Sequence, residues 1–203
     1  MNQTWANLLL TAFALVSNGA RAEDPHAAHR QRVETVALKA IDTTIRVPDV
    51  MLVDSNGETH HLPTLLRNKI VVLDFVFTSC QTICPAFSAI MKSTAKSLAR
   101  GETKGVLFVS VSVDPINDTP DKLREFSRKL GAGANWYWLT GRPADVSQVL
   151  RAFGVPAAGR PEDHPPVILV GNPSEERWMR WIGMPAHSSL TEAVESFAVG
   201  AIR

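Results

Sequence analysis

Two continuous apolar runs, each followed by a helix pattern, constrain the folding of this 203-residue chain more than any other feature. "KIVVLDFVF" and "GVLFVSVSV" read as strands buried on both faces, because a half-solvated strand would alternate apolar and polar residues. After the first come Pro85, expected at the first helical position, and an apolar stripe at Phe87, Ile90, Met91 and Leu98, spaced for one face of a helix. After the second, "TPDKLREFSRKLG" predicts a helix capped by Thr119, with Pro120 in its first turn and Gly131 past its end. "NWYWLTG" adds a short strand, and "PADVSQVLRAFG" a helix burying Val146, Val149, Leu150 and Phe153. "PVILVG" and "RWMRWIG" read as adjacent strands joined by the turn "NPSEE". Ser189 and Glu192 predict a capping box for a final helix that buries Leu190, Val194 and Phe197. Upstream, "VPDVMLVDSNGETHHL" alternates around Asn56-Gly57, which predicts an N-terminal β-hairpin. The expected fold is α/β: a central mixed sheet with parallel members, helices on both faces and that hairpin, in a thioredoxin-like layout.

The ends and composition bound the rest. Leu8 to Val16 form a short apolar core, and Ala20-Arg21-Ala22 fits a signal-peptidase site. Residues 1–22 are expected to be a cleaved signal, since the run is short of the about 20 apolar residues a span needs. An uncleaved anchor facing the periplasm is the alternative. Residues 23–45 are polar and irregular and read as a leader, which leaves 46–203 as a single domain. Loss of Arg21 with the signal leaves 20 Lys+Arg against 20 Asp+Glu, with no basic stripe for nucleic-acid phosphates. At 45% hydrophobic and 20% charged residues, neither disorder nor a membrane bundle is expected. The mature protein is therefore expected in the periplasm, without a nucleic-acid partner and without stable membrane insertion.

Cys80 and Cys84 are the only cysteines, placed where the first buried strand runs into its helix. As a structural disulfide they would close too short a loop to restrict the unfolded chain much. A helix start favours anions, which predicts a lowered thiol pKa for Cys84. Cysteines four positions apart across a helix start can face one side with a gap that suits a metal ion and still permits a disulfide. Two thiolates leave a soft metal short of ligands, and His164, before a predicted sheet strand, is the candidate for the third. Asp163 or Asp114 could orient it. His60 and His61 follow a turn and read as solvated, His187 as a cap neighbour, and His26 and His29 as a leader pair. Two thiolates and an imidazole suit Cu(I), and Cu(II) with an added weak ligand, whereas structural zinc wants four protein ligands.

"FVFTSCQTICP", "VSVSVDPINDTPDKLREF" and "DHPPVILV" followed by "RWIGMP" together resemble the SCO/SenC proteins, copper-handling factors of cytochrome oxidase assembly. The likeness covers about residues 46–203. It implies a thioredoxin-like fold and one copper per chain, with Cys80, Cys84 and His164 in the positions of the family's ligands. It also implies delivery of copper to the copper-site subunit of a cytochrome c oxidase or to another periplasmic cuproprotein. Gln81 stands where the family often has proline, and "GNPSEER" replaces its usual turn. Pro165-Pro166 resembles the cis-proline that faces the cysteines in thioredoxins, though a surface turn accounts for it as well. The alternative function is a thiol-disulfide oxidoreductase that keeps a partner's cysteines reduced, with Cys80 attacking and Cys84 resolving.

Overall fold

The computed structural model describes residues 38–80, 83–99, 105–133, 135–157 and 159–200. The signal segment and most of the leader, including His26 and His29, lie outside the described residues. Eight strands form one sheet in the order β1-β8-β7-β4-β5-β6-β2-β3. They are β1 (Ile41–Thr44), β2 (Met51–Asp54), β3 (Thr59–His61), β4 (Ile70–Val76), β5 (Val106–Ser112), β6 (Trp136–Thr140), β7 (Val167–Asn172) and β8 (Arg177–Ile182). β4, β5 and β6 run parallel; the other pairings are antiparallel, so the sheet is mixed.

The helices are α1 (Leu62–Leu66), α2 (Ile83–Leu98), α3 (Pro120–Leu130), α4 (Pro143–Ala152) and α5 (His187–Gly200). Alternation inside the apolar runs divides the core. Val71, Leu73 and Phe75 of β4 face α1 and α4 through Leu62, Leu66, Val146, Val149 and Phe153. Val72 and Val76 face Phe87 and Met91 of α2, Leu123 of α3, and Leu190 and Val194 of α5. Both faces of β4 are thus covered, as apolar residues on both of its faces require. The α/β, thioredoxin-like layout is the one expected from the sequence, hairpin included. Gly57 closes that hairpin at φ +86°, a conformation that a side chain disfavours. No helix among the described residues is long and apolar enough to cross a membrane.

Three local expectations need correction. Residues 41–44 are not irregular leader but strand β1, paired along the exposed edge of β8. The final helix begins at His187 rather than after Ser189: Ser189 N–H and Leu190 N–H both donate to Ala186 O, so Ser189 lies inside the first turn. All peptide bonds in the described residues are trans, those before Pro165 and Pro166 included. A smaller shift concerns Pro85, which is the third residue of α2 rather than the first. It still lies in the turn whose N–H groups have no intrahelical acceptor.

One glycine in the sheet is a packing requirement. Gly171 of β7 stands opposite Trp178 of β8, and a Cβ there would overlap the indole and come within 2.6 Å of Arg177 O. Gly171→Ala is expected to cost about 1–3 kcal/mol as an overpacked site, read as a lower urea midpoint. A midpoint equal to wild type would contradict this packing.

Candidate metal centre

β4 ends at Val76, and the chain turns at once: Cys80 N–H donates to Phe77 O at 3.1 Å. α2 starts three residues later, and Cys84 N–H donates to Cys80 Sγ at 3.2 Å. Both cysteines carry free thiols and are buried, with Phe77 packed on the pair. The turn is tied to the loop after β5 by Asp118, which is 1% exposed. Asp118 accepts from Thr78 N–H at 3.2 Å, Thr78 Oγ1 at 2.5 Å and Ser112 Oγ at 2.6 Å. Asp114 instead accepts from Asn117 Nδ2 at 2.9 Å, within its own loop. The "VDPIND" stretch therefore acts at this site as a brace, with Asp118 as its working residue. Its sequence signal was a capping-type acid, which does not reveal which loop it reaches.

His164 follows a one-turn 3-10 segment, Pro161–Asp163, and precedes β7. Its Nδ1–H donates to Pro165 O at 3.0 Å, which leaves Nε2 as the lone-pair nitrogen. Neither expected carboxylate orients it: Asp163 is held by Arg160 at 3.0 Å, and Asp114 by Asn117. A backbone carbonyl does that job. The imidazole packs edge-on against Phe77, centroids 5.8 Å apart, and lines a cavity of about 30 Å³ with Val113, Leu150 and Pro156. Burial lowers its pKa, so the neutral, ligating form is favoured. The two thiols are therefore adjacent, and the imidazole touches the phenylalanine that covers them. Among the described residues, however, the one set of three whose donor atoms all lie within 4.8 Å of one another is Asp54, Glu58 and His60.

Electrostatics reverse one expectation. Burial pushes the Cys84 thiol well above its ordinary range, reinforced by the Cys80 sulfur and by the negative charge of Asp74. The helix start is where the sequence places it, but desolvation outweighs its partial positive charge. Asp74, which the sequence reading passed over, lies at the middle of the sheet. It is fully buried in β4, on the α2 side, and burial pushes its pKa up to about 7. Oδ1 accepts from Ser110 Oγ at 2.5 Å, and Ser110 Oγ in turn accepts from Trp136 Nε1 at 2.8 Å. Oδ2 has no hydrogen-bond partner. A charged residue inside an otherwise apolar run was the available signal.

The other histidines separate. His61 is partly exposed, between Asp49 and Thr64, and His187 opens α5 on the surface. His60 is not the solvated residue expected: its side chain is 18% exposed, bonded to Asp54 at 3.0 Å and set edge-on to Tyr137.

The fold agrees with what comparison finds. Over 77 residues the chain is 40% identical to the SCO1 protein homolog of Bacillus subtilis, covering 37% of this chain and 39% of that protein. A Stutzerimonas stutzeri protein named for copper binding is 29% identical over 110 residues, 54% of this chain and 52% of its own. The chain thus spans about half, or less, of the curated relatives it matches. BsSco, solved with a disulfide switch and described as a member of the Sco family of cytochrome c oxidase assembly proteins, superposes with a TM-score of 0.65. It is 25% identical, covering 77% of this chain and 95% of BsSco. The family model of SCO1/SenC matches residues 41–174, from β1 through β7 and across both cysteines and His164. With more than half of its length matched by that model, the chain belongs to the SCO1/SenC family.

Proposed function

We propose that this chain carries copper as cargo, held by the thiolates of Cys80 and Cys84 and by His164 Nε2, for the binuclear copper site of a cytochrome c oxidase. The observation that carries the reading is the adjacent pair of free, buried thiols with an imidazole packed on their shared neighbour Phe77. Two sulfurs and one imidazole suit Cu(I), and the imidazole extends the site to Cu(II). Burial that keeps Cys84 protonated in the free protein is overcome on binding, since a coordinating thiol is deprotonated outright. Cys84 N–H, donating to Cys80 Sγ, stabilises a thiolate there. The names of the Stutzerimonas relative and of BsSco point the same way.

The test is titration of the reduced mature chain with Cu(I) against a competing chelator. One tightly held ion per chain is expected; no binding would sink the proposal. Deleting residues 23–32, which carry His26 and His29, is expected to leave that affinity unchanged. We place the protein in the periplasm, cleaved after Ala22 and starting at Glu23, with intact mass of the exported form as the check. A full-length mass recovered from membranes would replace this by an anchored form.

A second reading is favoured by the adjacency of the two thiols, with Cys84 N–H on Cys80 Sγ at 3.2 Å and Cys84 the more deeply buried of the pair. The Cys80 thiolate would attack a partner disulfide and form a mixed disulfide. Cys84 would then give up its proton and attack Cys80 Sγ, so that the partner leaves as a dithiol with two electrons and two protons. A dithiol potential in the range of roughly −200 to −270 mV is expected for such a reductant. A value below about −300 mV would mark an inert disulfide instead.

A further inference from the structure

We propose that the β2–β3 hairpin is a second metal site, for a divalent ion of the zinc or Cu(II) kind, built from Asp54, Glu58 and His60. One donor atom from each residue lies within 4.8 Å of the other two. The turn itself sets this up. Asp54 ends β2 at 3% exposure, and its Oδ1 accepts from Asn56 N–H at 2.8 Å and Glu58 N–H at 2.9 Å. That leaves Oδ2 facing His60 Nε2 at 3.0 Å. The His60 ring is held perpendicular to Tyr137, with centroids 5.4 Å apart, so it is oriented before any ion arrives. Asp54 and Glu58 also line a cavity of about 130 Å³ with Asn56, Trp136 and Tyr137, which leaves room on their side of the cluster for water completing an ion's shell.

An ordinary turn explains Oδ1, and a histidine–carboxylate hydrogen bond explains Oδ2. Neither accounts for Glu58, whose carboxylate joins the same cluster. Nor does a basic side chain neutralise it: among the described residues Arg124, which reaches this turn, donates to Ser55 O and pairs with Asp121. Two carboxylates and one neutral imidazole make a site of charge −2, with an N,O donor set that suits zinc or Cu(II) and not the softer Cu(I). An ion would take the Nε2 lone pair, with the ring proton moved to Nδ1. Three protein ligands leave a position for water or an exchanging ligand. In the sheet, β5 and β6 separate the hairpin from the strand that leads to the thiols, so the two sites are independent.

The experiment uses the full chain carrying Cys80→Ser and Cys84→Ser, titrated with Zn2+ alone against a chromophoric chelator. One Zn2+ per chain is expected. On that background His60→Ala should abolish binding, and Glu58→Gln, at an exposed position that folding tolerates, should weaken it at least tenfold, the lower end of what outer-shell changes cost metal sites. His61→Ala should leave it intact. Absence of stoichiometric Zn2+, or binding that Glu58→Gln leaves unchanged, or loss in His61→Ala would each overturn the proposal. Because the thiols are absent throughout, these outcomes are distinct from failure of the copper reading.

Discussion

Cys80→Ser and Cys84→Ser are each expected to abolish tight Cu(I) binding. The two sulfurs sit on one turn, with the Cys84 amide donating to Cys80 Sγ at 3.2 Å, so neither has a substitute among the described residues. Loss of one leaves a soft ion a single thiolate, and the drop should exceed the roughly 10–100-fold that losing an outer-shell partner costs. His164→Ala should weaken Cu(I) less, because two-thiolate coordination survives, but should remove most of the Cu(II) affinity, for which imidazole nitrogen is a favoured donor. His61→Ala and His187→Ala are the controls, since the first is bonded to Asp49 and the second is exposed. Absorption from sulfur-to-Cu(II) charge transfer follows each variant. If His164→Ala matches wild type in both oxidation states, the third ligand lies elsewhere.

Asp74→Asn is expected to make the protein more stable at pH 8. The folded carboxyl titrates at about 7 against an ordinary value of 3.8, so the native state holds its proton more tightly than the unfolded chain. The stability this group contributes is then fully present below about pH 4, falls as pH rises through the interval between those values, and levels off above about 7. A rise of roughly three pKa units corresponds to about 4 kcal/mol at most. Asparagine keeps an acceptor for Ser110 Oγ but leaves its amide without a partner, an offset of about 1–3 kcal/mol. A net gain of about 1–3 kcal/mol at pH 8 follows, together with loss of the slope between pH 5 and 8. Urea unfolding at those two pH values reads both. Equal pH dependence in wild type and Asp74→Asn would refute the assignment. Removing that charge should also ease ionisation of Cys84, which Asp74 opposes.

The sequence was most legible where one residue pattern has one physical outcome. An apolar run such as 70–76, interrupted only by Asp74, has to be covered on two faces, and α2, α4 and α5 supply the cover through the very stripes their spacing displays. Thr119 and Gly131 bound α3 as read, because a cap and a left-handed C-terminal glycine act within one turn of the chain. β1 escaped notice for the opposite reason. Ile41–Thr44 carries no alternation of its own, is largely exposed, and becomes a strand only because β8 offers an edge. Ser189 and Glu192 match a capping box, yet the chain leaving β8 turns into helix three residues sooner, with Ala186 O taking the first bonds.

By itself, the sequence determined the α/β class, the family, the meeting of strand and helix at Cys80 and Cys84, and the histidine that packs on their neighbour Phe77. These depend on order along the chain and on local periodicity, which do not change when the chain folds. Tertiary structure alone decided the electrostatics and the partners. It buried Cys84 deeply enough that desolvation outweighs the helix start, and it placed Asp74 where burial pushes its pKa up to about 7. It also reached across from the loop after β5 to brace the thiol turn with Asp118, and it joined Asp54, Glu58 and His60 into one cluster. Desolvation and long-range hydrogen bonding belong to the packed volume around a residue, and no stretch of sequence contains that volume.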